Sequence, residues 1–217
     1  MPPESHIAML FALRLAIVAL CPVLLGEVVR AQTPPAAPAP EAAKPEPQKA
    51  DQVATLSELK LDLNGDGVMD KATLVAAEHE PATLQIALGR RSGEAVTFEA
   101  PAIKPDLVFH GSLAGQRASL EAGRGGSLRV LSLNEGIGRN KWTQTLTIAF
   151  RNGRFVVAGL TYATWDTIDL DNRESNYSCD VNFLTGRALR NDKPYPGRVK
   201  PVTLADFNPE ELPKACQ

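Results

Sequence analysis

The chain has 217 residues, 44% of them hydrophobic, and a formal net charge of −2 at pH 7. That balance offers no basic excess with which to neutralise phosphates, so nucleic acid and anionic lipid surfaces are not expected partners. The length past residue 50 suits one domain with a proper core.

The first segment reads as an export signal. Arg14 and the amino terminus precede an apolar run from Leu15 to Leu25, which Gly26 ends. Val29-Arg30-Ala31 then supplies the small residues of a cleavage site, so residues 1–31 are expected to be a secretory signal peptide cut after Ala31. The run is too short for a transmembrane helix, and no transmembrane segment is expected after cleavage. Lipidation of Cys21 is disfavoured by bulky Leu20 before it and Pro22 after it. Cleavage removes Arg14 and Arg30 together with Glu4 and Glu27, so the net charge is unchanged. Residues 32–50 carry Pro34, Pro35, Pro38, Pro40, Pro45 and Pro47 among Ala, Glu and Lys. A segment of that composition cannot build a core and is expected to be a disordered linker. Residues 51–217 remain as a β domain.

Alternation with a period of two dominates that domain. Leu59, Leu61 and Leu63 alternate, then Ala72, Leu74 and Ala76 after an intervening turn. Leu84, Ile86 and Leu88 share a face, Arg90-Arg91-Ser92-Gly93 reads as a turn, and Val96, Phe98 and Ala100 return. A further hairpin runs through Ala118, Leu120 and Ala122, the turn Gly123–Gly126, and Leu128 to Leu133. The strongest signal lies between Trp142 and Trp165. Asn152-Gly153 favours a two-residue type I′ turn, which sets Phe150 opposite Phe155 and Ile148 opposite Val157. Strict alternation then puts Trp142, Leu146 and Ile148 on one face, and Leu160 and Tyr162 on the other. Trp142 and Trp165 could be ligand platforms, although packing is the commoner fate of such a ring. Tyr177, Cys179, Val181 and Phe183 alternate inward, and Thr185-Gly186 turns the chain. Asn208-Pro209-Glu210-Glu211-Leu212 has the cap and first-turn proline of a short helical turn.

The sharpest chemistry lies between the first two strands. Asp62, Asn64 and Asp66 place oxygen donors at alternate positions, Asp70 adds a fourth side chain, and the Val68 carbonyl can turn inward. Calcium takes six to eight oxygens in irregular cages, which suits such a loop. An EF-hand would have Glu at its twelfth position, counted from Asp62, where this chain has Thr73. The flanks are strands rather than helices. The pattern Asp62-x-Asn64-x-Asp66-Gly67-x-x-Asp70 resembles the calcium loop of FG-GAP and VCBS-type repeats. In that family the side chains matching Asp62, Asn64, Asp66 and Asp70 are ligands, so the resemblance implies a calcium site. It covers fewer than twenty residues and no second such loop occurs, so it does not imply a propeller. As a whole the chain also resembles small secreted bacterial proteins carrying one such loop, which implies no particular activity. Without a cation, Asn-Gly-Asp-Gly is simply a strong turn.

A second acidic loop holds Asp166, Asp169, Asp171, Asn172 and Glu174, with spacing that fits no metal template. Once the signal peptide is gone, Cys179 and Cys216 remain, and in an oxidising compartment they are expected to pair. No nucleophile elbow, zinc-protease helix, paired-cysteine motif or phosphate loop occurs, and Gly123-Arg124-Gly125-Gly126 has the wrong spacing for one. His110-Gly111-Ser112 is suggestive only by adjacency, and His79 sits between Glu78 and Glu80.

The expectation is therefore a periplasmic or secreted all-β domain of about eight to ten antiparallel strands, a sandwich or open barrel. Calcium and one disulfide would stiffen it. Its role would be that of a non-catalytic binding or structural envelope module with a protein or glycan partner. The alternative is a hydrolase that uses acidic side chains on glycans.

Overall fold

The computed structural model describes residues 53–78 and 80–217. The expected signal peptide and linker, and His79, lie outside the described residues. Strand follows strand in the order β1 (Ala54–Leu61), β2 (Asp70–Ala76), β3 (Ala82–Ala87), β4 (Gly89–Ser92), β5 (Ala95–Phe98), β6 (Ala102–Val108) and β7 (Gln116–Ala122). Then come β8 (Leu128–Asn134), β9 (Asn140–Arg151), β10 (Arg154–Asp166), β11 (Tyr177–Asn182), β12 (Arg187–Arg190), β13 (Lys193–Pro194) and β14 (Val202–Thr203). That exceeds the expected eight to ten strands because β13 and β14 are two-residue pieces and β4–β5 is a short separate ribbon.

Two antiparallel sheets carry the domain. The smaller has the order β1-β2-β3-β6, and the larger β13-β12-β11-β10-β9-β8-β7, with β14 added to β10. The alternation that predicted the strands also builds the core between them. Ala72, Leu74, Leu84 and Ile86 from the small sheet meet Leu128, Val130, Leu146, Ile148, Leu160 and Val181 from the large one. Every one of these is buried, as expected for two sheets that stack inner face to inner face. At one side the sheets are tied by the Ser57 hydroxyl, which accepts a hydrogen bond from the Leu120 N–H at 3.1 Å. The tail closes the other side, where Leu204 and Phe207 are buried and Phe207 packs edge-on against Phe183, centroids 6.4 Å apart.

Several expected local features hold. Phe150 pairs with Phe155 and Ile148 with Val157 across Asn152-Gly153, whose φ values of 52° and 77° are those of the primed turn. The β7–β8 hairpin pairs Ala122 with Leu128 and Gln116 with Asn134. Cys179 and Cys216 form a disulfide with Cα atoms 5.3 Å apart.

Three expectations are corrected. Arg90–Ser92 is strand β4 rather than a turn; the chain reverses at Gly93, φ 63°, and Glu94. The helical turn lies at Lys214–Cys216, not over 208–212, because the Asn208 side chain accepts the Glu210 N–H in a local turn and no helix follows. The faces of the long hairpin also differ. The ladder slips at Ala158 between Val157 and Gly159, so Leu160 pairs with Leu146 and Tyr162 with Gln144. A bulge adds one residue to one strand and reverses the facing of all that follows. The bulge is held from the neighbouring strand, where the Phe183 N–H donates to the Ala158 carbonyl at 3.0 Å. Leu160 and Tyr162 therefore share the face of Trp142, Leu146 and Ile148.

Candidate functional site

The turn after β1 closes on itself through its acidic side chains. Asp62 accepts the Gly65 N–H on Oδ1 at 2.7 Å and the Gly67 N–H on Oδ2 at 2.9 Å. Asn64 Oδ1 accepts the Asp66 N–H at 3.0 Å, while its amide nitrogen donates to Asp66 Oδ2 at 2.9 Å. Asp66 Oδ1 accepts the Val68 N–H at 2.8 Å. These donors, the Asn64 amide first and the Val68 N–H next, hold the Asp66 carboxyl below its ordinary value. Gly65 and Gly67 both have φ of 79°, which a residue with a Cβ rarely adopts. Asp62 and Asn64 are half-buried and Asp66 is exposed.

Asp70 is placed differently. It is fully buried, and each oxygen accepts a backbone N–H at 2.8 Å, Oδ2 from Leu63 and Oδ1 from Gly89. The contact with Gly89 depends on a missing side chain, because a Cβ there would lie 2.3 Å from the Met69 carbonyl. Asp70 thus fastens the loop to the start of β4. Among the described residues no group of three or more His, Cys, Asp or Glu side chains gathers as a metal centre does. The Asp62–Asp66 turn instead mixes two carboxylates and an amide. Each oxygen that accepts a single N–H keeps lone-pair capacity, so this donor set fits a hard cation on chemical grounds.

The second acidic loop proves to be a clamp at its base. Asp166 is 3% exposed and receives Arg139 through both oxygens, Nε to Oδ1 at 3.0 Å and Nη2 to Oδ2 at 2.5 Å. The N–H groups of Ile168 and Asp169 also donate to Oδ1. Arg139 first, and the Ile168 N–H next, hold the carboxyl down to about 2. A carboxyl depressed on folding stabilises the fold above its unfolded value of ~3.9, and that contribution is lost as pH falls towards the folded value. Asp166→Asn should therefore melt below the wild type at pH 7 and at pH 5, with the gap closing between pH 4 and pH 2. A gap that persists unchanged at pH 2 would refute the role of the charge. Asp169, Asp171 and Glu174 are exposed beyond this clamp, beside Ile168 and Leu170.

A groove of about 600 Å³ opens between β6 and the β9–β10 hairpin. It was not legible as a site in the sequence. Trp142 lies nearly parallel to Tyr162, centroids 6.5 Å apart at 22°, and Phe109 stands edge-on to Trp142 at 5.5 Å and 71°. Both Trp142 and Tyr162 are half-buried; burial, and then Tyr177 nearby, push the Tyr162 hydroxyl above its ordinary value. Trp165 does not line this groove. Asp106, at the lip, has φ of 50°, which is uncommon for a residue with a side chain.

Comparison with protein-family models, curated proteins and solved structures finds no match to the chain.

Proposed function

We propose that this chain is an exported β domain that binds calcium in the turn between β1 and β2 and serves as a non-catalytic binding or structural module of the cell envelope. The observation that carries the reading is the Asp62–Val68 turn itself. Two carboxylates and an amide sit within hydrogen-bonding reach of one short stretch of backbone, at the mouth of a hairpin. Asp62, Asn64, Asp66 and the Val68 carbonyl would hold the ion. Asp70 anchors the turn and can add only the lone pairs its two N–H partners leave open. The ion would offset the repulsion between carboxylates and lock the turn that connects the two strands. Export is supported by the apolar run near the amino terminus and by the disulfide, which persists in oxidising compartments.

Calcium melts test this reading. Extracellular modules bind in the ~0.1–1 mM range, so millimolar calcium is the relevant titrant. At tenfold excess over Kd a ligand of the native state adds about 1.4 kcal/mol, by RT ln(1 + [L]/Kd). For a domain of this size that raises Tm by about 3–5 °C. Magnesium should do less, because it demands tighter octahedral geometry and keeps its waters. Asp66→Ala should remove the calcium-dependent shift. Identical melts in calcium and in chelator would leave the loop a turn and nothing more.

A further inference from the structure

We propose that the groove between β6 and the β9–β10 hairpin binds a neutral glycan built of pyranose rings. The floor is aromatic. The near-parallel rings of Trp142 and Tyr162 lie across adjacent strands, and Phe109, 43% exposed, rises beside them. A pyranose presents C–H groups on its faces and hydroxyls around its rim. An aromatic floor takes the faces, and polar groups at the edge take the rim.

Those polar groups are present and uncommitted. The side chains of Asp106, Gln144 and Glu210 line the groove and make no hydrogen bond or ion pair within the described protein. Lys104 is already engaged, with Nζ on the Ala205 carbonyl at 3.2 Å. Free carboxylates and an amide accept hydrogen bonds from hydroxyls, and hydrogen bonds to charged acceptors are the stronger kind. Two carboxylates against the single Lys104 ammonium leave the groove net negative, which disfavours an anionic sugar. Asp106 adds a second mark. Its exposed carboxylate sits at φ of 50° where β6 bulges between Lys104 and Val108, and bulges re-aim side chains beside ligand sites.

An extended peptide fits this groove less well. It would dock by adding a strand to the free edge at β6, which closes one side of the small sheet. Pro105 has no N–H to offer, and the ladder between Lys104 and Val108 holds two more residues than the opposing stretch from Leu84 to Ala82. Both features work against strand addition along Lys104–Val108, the part of that edge beside the groove.

The test is a fluorescence titration of the full exported chain in a Trp165→Phe background, which leaves Trp142 as reporter. The probes are short neutral β-linked glucose and N-acetylglucosamine oligosaccharides, a neutral α-linked glucan, a uronate oligosaccharide, a proline-rich peptide and tetramethylammonium. At least one neutral oligosaccharide should shift the Trp142 emission saturably at millimolar concentration or below. Asp106→Asn and Glu210→Gln should each weaken that binding about tenfold, because the amide oxygen still accepts the hydrogen bond but without the carboxylate's charge. Both residues are exposed, and Asn is tolerated at positive φ, so these variants keep the fold. Binding that survives in chelator separates this site from the calcium loop. The proposal falls if no neutral oligosaccharide binds. It falls equally if the two carboxylate variants bind as well as the parent, or if the peptide or the organic cation takes the groove in preference.

Discussion

Replacing Cys179 and Cys216 together by Ala is expected to lower the stability of this domain by about 3–4 kcal/mol, the chain-entropy value for a loop of this length. The bridge closes a separation of 37 residues and joins buried Cys179, within β11, to buried Cys216 of the last helical turn. In a domain of this size the loss corresponds to roughly 10 °C in Tm. The consequences should be local as well as global. Leu204 and Phe207 hold the earlier part of the tail through the core, independently of the bridge. Beyond them the chain is held by the disulfide, by buried Ala215, by Leu212 against the core and by a few polar contacts. The Tyr177 hydroxyl donates to the Cys216 carbonyl at 3.2 Å, and the Gln217 amide nitrogen donates to the Leu212 carbonyl at 2.7 Å. Hydrogen exchange in the variant should therefore rise first over residues 208–217, while 204–207 stay protected. Melts that coincide with and without the bridge would show that the tail is held by its apolar contacts alone.

The fold was readable wherever a residue's facing follows from alternation alone. Ala72, Leu74 and Ala76, or Cys179, Val181 and Phe183, announce their burial two residues at a time, and the structure buries all six. Asn152-Gly153 fixed its hairpin because only a primed turn suits that pair. Alternation fails where the backbone changes phase. The bulge at Ala158 is held by a hydrogen bond from Phe183, twenty-five residues further on, and nothing local in Val157-Ala158-Gly159 demands it except the glycine. Without the bulge Tyr162 falls on the face away from Trp142, so the aromatic floor of the groove could not be assembled from the sequence. The Arg139–Asp166 clamp was hidden for a similar reason. Asp166 ends one long strand and Arg139 precedes the other, and they meet only through the twelve paired positions between them. The acidic turn after β1 was visible because its oxygen-bearing side chains are neighbours in sequence. What could not be read was the division of labour inside it, with Asp70 turned to the interior.

That division predicts the second large effect. Asp70→Ala should cost about 3–5 kcal/mol, in chelator as much as in calcium, because it strands two buried N–H donors at about 1–3 kcal/mol each and removes the side chain that fills the space between them. Leu63 and Gly89, whose N–H groups it accepts, are both buried, so water cannot replace the carboxylate without opening the loop. Asp70→Asn should cost less, since the amide oxygen keeps one acceptor while its NH₂ faces the other donor. The order in chelator should thus be wild type, then Asn, then Ala. Asp66→Ala gives the contrast: its side chain is exposed, so it should move the calcium-dependent part of the melt and little of the rest. Each variant is read by thermal melts with and without calcium. If Asp70→Ala melts with the wild type in chelator, the two 2.8 Å hydrogen bonds are not what fastens the loop. Asp70 would then matter, if at all, as a ligand, and its loss would show only when calcium is present.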